Sequence, residues 1–98
     1  MMENSETAQA LRINNVGKVE DLSTANWTSP SLQSVSLFID SDDDVVYLNV
    51  KTVGSGTFTR CPFTPRQWSE VAVVSIEQNS IVDEITWGLV DNGRGSNR

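Results

Sequence analysis

The chain has 98 residues, 38% of them hydrophobic and 20% charged, enough for one modest hydrophobic core and too little for a second independent domain. Thirteen acidic against seven basic residues leave a net charge of -6, which repels a phosphate backbone and argues against nucleic acid as a partner. Histidine, the commonest general base and zinc ligand, is absent, and the single cysteine, Cys61, cannot close an intrachain disulfide, so composition disfavours hydrolase, zinc and disulfide-stapled classes alike.

Residues Met1 to Gln9 are polar and without periodicity, which predicts an N-terminal arm. They contain neither a basic nor an apolar signal region, so no secretory signal is expected, and no apolar run approaches the ~18 residues of a membrane span. From Ala10 to Val16 the chain alternates, with Leu11 and Ile13 on one side and Arg12 and Asn14 on the other, as in a half-buried strand. Gly17 is expected to interrupt it, Lys18 to Leu22 to return as a short strand, and residues 23–30 to form a loop rich in turn formers.

Alternation resumes over Ser34 to Ile39, with Val35, Leu37 and Ile39 on one face. After the acidic stretch Asp40-Ser41-Asp42-Asp43-Asp44, Val46, Leu48 and Val50 alternate with Tyr47, Asn49 and Lys51, which predicts a hairpin with the preceding strand. Gly54-Ser55-Gly56 marks the next turn, and Thr57 to Arg60 a third antiparallel strand. Pro62 and Pro65 bracket an irregular link where the chain is expected to cross between sheets. One helical turn over Pro65 to Ser69, capped by Thr64, is the most helix expected. Glu70 to Ile76 is apolar on both parities, as in a strand buried on both faces or at a subunit contact. Ile85, Trp87 and Leu89 share one face of the last strand, and residues 91–98 read as a C-terminal tail. The pattern predicts a single all-β domain, an antiparallel β-sandwich of about seven short strands, with a jelly-roll-like layout among the arrangements it allows.

Few residues offer chemistry. Cys61 would be a nucleophile only if a cation such as the adjacent Arg60 lowered its pKa, and a buried structural thiol is the simpler expectation. Asp40, Asp42, Asp43 and Asp44 supply oxygen ligands, but a calcium loop beginning at Asp40 would need glycine and glutamate where Val45 and Lys51 stand, so a solvated turn is expected and neither a metal nor a cofactor is assigned. Adjacent carboxylates at a turn also lack the cleft a glycosidase requires. Gly54-Ser55-Gly56 lacks the lysine and helix of a phosphate loop, and Asn26-Trp27-Thr28 is a glycosylation pattern without an export signal to give it force. Of the three tryptophans, Trp87 belongs with the core. Trp27 and Trp68 lie in loops, where they suit end plugs, sugar-stacking platforms or, together with Phe63, interface anchors.

The succession Val45 to Val53, Gly54-Ser55-Gly56-Thr57, Pro62-Phe63-Thr64-Pro65, Val71 to Ile76 and Ile85-Thr86-Trp87-Gly88-Leu89-Val90 resembles small β-rich virion proteins of tailed bacteriophages, of the head decoration, cement and spike-base type. The resemblance spans Ser34 to Val90 and lies in layout. It implies a non-enzymatic protein of the virion, assembled in the host cytoplasm as a homo-oligomer, whose partners are viral capsid protein and copies of itself. Two alternatives remain open from the residues: a small phage-encoded acidic inhibitor of a host protein, and a carbohydrate-binding module resting on Trp27 and Trp68.

Overall fold

A computed structural model of the chain describes residues 13–80 and 83–90; the expected arm, Leu11, Arg12 and the expected tail lie outside the described residues. Within them are seven strands: β1 (Ile13–Lys18), β2 (Trp27–Thr28), β3 (Val35–Asp40), β4 (Val46–Lys51), β5 (Thr59–Phe63), β6 (Ser75–Ile76) and β7 (Glu84–Val90). They form two antiparallel sheets, one in the order β1-β7-β3 and one in the order β2-β6-β4-β5. The fold is the expected β-sandwich. Its core lies between the sheets, where Val35, Leu37, Ile39 and Ile85 of the first meet Val46, Leu48, Val50, Phe63 and Ile76 of the second.

The inward parities of β3 and β4 are those of the sequence, but the two strands do not pair. β3 lies beside β7, β4 lies between β5 and β6, and residues 41–45 form an arch from one sheet to the other. Strands that face each other across a core carry the same alternation as strands side by side, so periodicity does not distinguish an arch from a hairpin. Side-chain bonds span the arch. Ser41 is buried and its Oγ accepts from the Asp43 N–H at 3.1 Å, and the exposed Arg66 guanidinium reaches Asp40 at 3.3 Å and Asp42 at 2.7 Å. The hairpin expected around Gly54 does form, between β4 and β5.

The stretch apolar on both parities has a topological cause. Val73 exchanges both backbone hydrogen bonds with Val35 of the first sheet, at 2.8 and 2.9 Å. One residue later the Val74 N–H bonds to the Lys51 carbonyl and its carbonyl accepts from the Ser29 N–H, both in the second sheet. The chain changes sheets between these residues, so Val73 and Ile76, each 0% exposed, are enclosed by the molecule's own core, while Val71 of the same run is exposed. The crossing expected near the prolines is also present. Pro62 sits in β5, a sheet edge where a missing amide is tolerated, and residues 66–69 then run beside β3, with Arg66 and Ser69 donating to Ile39 and Leu37. Those bonds to β3 replace the helical turn expected over Pro65 to Ser69. A single 3-10 turn occurs instead at Pro30–Leu32.

Two further expectations are corrected at β1. Lys18 to Leu22 does not return as a strand: the Val19 N–H prolongs the pairing with β7 by bonding to Ile85, Asp21 takes a left-handed φ of 62°, and Leu22 turns into the core. Gly17 does not end β1 but lies within it, under the Trp87 indole. A Cβ there would stand 2.6 Å from the Trp87 ring, so only glycine lets the indole lie flat against this strand. A register shift between Ile13 and Val16 turns Ile13 outward, over Gly88, and away from the core side assigned to it by simple alternation.

Replacing Gly17 by alanine is therefore expected to lower unfolding stability by about 1–3 kcal/mol through overpacking against Trp87. Gly56→Ala, where a Cβ meets nothing within 4 Å, should leave stability unchanged or raise it by up to about 1 kcal/mol. Urea unfolding of both variants checks this, and equal effects would contradict the packing described.

Candidate functional site

The three expected anchors occupy different environments. Phe63 is 3% exposed and fills the core, so its ring is not presented to a partner. Trp27, in β2, is half-buried and packs against the core with its ring 6.4 Å from that of Trp87. Trp68 stands outside the sandwich. The chain beside β3 holds it there through the Phe38–Trp68 bridge, and its ring meets Phe38 edge-on at 5.5 Å and 61°. Its six-membered ring lies 3.1 Å from the position a Gly88 Cβ would take, so the absence of a side chain at Gly88 forms its seat. Beneath it Ser36 is buried, its hydroxyl donating to the Ser69 carbonyl at 2.7 Å.

Phe38 and Trp68 belong to an apolar outer face of the first sheet. Strand alternation places Val16 there, 61% exposed, and the β1 shift adds Ile13 opposite the half-buried Val90. An antiparallel sheet with one solvated face ordinarily carries polar residues on it, so an outer face with Ile13, Val16, Phe38, Trp68 and Val90 departs from the rule. The Lys18–Glu84 ion pair borders it.

The outer face of the second sheet is built differently. Tyr47, 47% exposed, lies under the Arg60 guanidinium at 4.0 Å, and Phe58 under the Lys51 ammonium at 4.7 Å. Asn49 lies between Tyr47 and Lys51 along β4, opposite Arg60, and donates from Nδ2 to Glu77 Oε1 at 2.8 Å. This face was only partly legible: alternation turned Tyr47, Asn49 and Lys51 outward, but the partners across the hairpin required the β4–β5 register.

Elsewhere, Cys61 is half-buried and packs against the core, opposite Leu48. In the aspartate arch the Arg66 guanidinium already supplies positive charge to Asp40 and Asp42, and among the described residues no three metal-ligating side chains converge. An open cleft of about 180 Å³ between Asp21 and Asp83 falls below the ~300 Å³ of ordinary small-molecule sites. The groups that are brought together on the two outer faces, rings, cations and an amide, suit recognition of another surface. No protein-family model, curated protein or solved structure matches the chain.

The placement of the anchors sets an order of stabilities. Phe63→Ala should cost about 3–5 kcal/mol as a core truncation, and Trp68→Ala, on a half-buried ring outside the core, about half of that or less. Chemical unfolding of the two variants measures the order, and a larger loss at Trp68 would contradict it.

Proposed function

We propose that the chain is a non-enzymatic structural protein of a bacteriophage virion, a capsid decoration, cement or spike-base subunit that stabilises the shell through contacts with capsid protein and with copies of itself. The observation that carries this reading is the apolar outer face of the β1-β7-β3 sheet. The core is complete without these residues, so they are not needed to close the sandwich. Apolar residues grouped on an outer face, with Val16 exposed and Ile13, Phe38, Trp68 and Val90 half-buried around it, suit a protein interaction site, and an aromatic pair with an ion pair at its border has the layout of an interface core and rim. Trp68 is the anchor in this reading and Trp27 and Phe63 are not.

Co-sedimentation of the purified protein with undecorated phage heads should give saturable binding, and Val16→Glu should weaken it at least about tenfold while changing stability by no more than about 0.5 kcal/mol. Light scattering should find a homo-oligomer. Heads that take up none of the protein, or take up the Val16→Glu variant equally well, would overturn the reading.

A second reading, an acidic phage-encoded inhibitor of a host protein, is favoured by the aspartate arch, where Asp42, Asp43 and Asp44 are exposed on a chain of net charge -6. A monomer that captures one stoichiometric partner from host lysate, and ignores phage heads, supports that reading over the first.

A further inference from the structure

We propose that the β5 edge, with the Tyr47–Arg60 and Lys51–Phe58 pairs beside it, binds an acidic extended segment of a partner protein by strand addition. This site lies on the second sheet and does not depend on the virion reading.

The first observation is charge. Lys18 is neutralised by Glu84, and Arg66 by Asp40 and Asp42. Among the described residues the cations without a carboxylate partner are thus Lys51 and Arg60, and the β4–β5 register brings both to one face. Each is held over an aromatic ring, which restrains a flexible side chain before any ligand arrives and lowers the entropy lost on binding. The Glu77 carboxylate lies across β4 from the β5 edge and is held by Asn49.

The second observation is the direction of the backbone groups. The Asn49 and Lys51 carbonyls accept from Glu77 and Val74, so these residues bond toward β6, and the alternation of an antiparallel ladder turns Leu48 and Val50 toward β5. Their partners Cys61 and Thr59 bond back to β4, leaving the amide and carbonyl of Arg60 directed outward at the sheet edge. Pro62 lacks an N–H and ends the open stretch. An added strand would bond to Arg60 and set its own alternate side chains, roughly 7 Å apart, on the face that carries the two cations. Acidic residues at every second position match that spacing.

Fluorescence anisotropy of the full chain with a short labelled peptide of alternating Glu and Thr tests this. The expected result is saturable binding that weakens as salt is raised, about fivefold weaker with Arg60→Ala and with Lys51→Ala, and at least about tenfold weaker when alternate peptide amides are N-methylated. Both positions are on the surface, and unchanged thermal unfolding of the two variants separates a lost contact from a lost fold. Absence of saturable binding, equal affinity for a peptide with its Glu residues in one block, indifference to N-methylation, or tighter binding of oligothymidylate of the same charge would each overturn the proposal, the last in favour of nucleic acid.

Discussion

The reciprocal hydrogen bonds between Val35 and Val73 are the joint on which the sandwich depends. They close the β3 edge of the first sheet, and at the next residue Val74 passes to the second sheet, bonding to Lys51 and Ser29. Hydrophobic contact between two sheets is non-directional and does not fix their relative register. A covalently continuous segment hydrogen-bonded to both sheets within two residues does fix it. Because Val73 is wholly enclosed, weakening this joint would combine loss of apolar burial with exposure of backbone groups on both sides.

With the sheets held in that relation, small and large residues are matched across the strands. Trp87 packs against the core from the β1 side because Gly17 presents no side chain to it, and Trp68 is seated on the outer face because Gly88 presents none. Gly88 neighbours Trp87 in β7, so a single strand supplies both an indole to the core and a seat for an indole outside it. The second arrangement is not needed for core packing, and this separates Trp68 from the other two tryptophans. The same reasoning removes Phe63 from the surface, since β5 directs it inward beside Val46.

The parts of this fold that were legible in the sequence are those governed by alternation. Val35, Leu37 and Ile39, Val46, Leu48 and Val50, and Ile85 all face the core as their period of two requires. Which strands are neighbours was not legible at the aspartate arch, because facing and adjacent strands share a pattern, and the Arg66 ion pairs across it join residues more than twenty positions apart. In the apolar run at Val71 to Ile76 the pattern shows burial on both parities but not its cause, a change of sheet that encloses Val73 and Ile76 and leaves Val71 exposed. Of the candidate anchors, Trp68 alone could not be separated from Trp27 by sequence, because both precede Ser or Thr in polar surroundings and differ only in what lies opposite them: Ile76 for Trp27, Phe38 and Gly88 for Trp68.

A sandwich of this size has two outward faces, and here neither is the uniformly polar surface that solubility alone would select. One carries aliphatic and aromatic side chains around the Phe38–Trp68 pair, and the other carries cations fixed over rings beside an open edge. The two faces differ in the physics they can use. Apolar burial is not screened by added salt, whereas ion pairing at the exposed cations is. Because the two sheets face opposite ways, the Phe38–Trp68 pair and the Tyr47–Arg60 and Lys51–Phe58 pairs lie on opposite sides of the sandwich, and a substitution on one face leaves the contacts of the other in place.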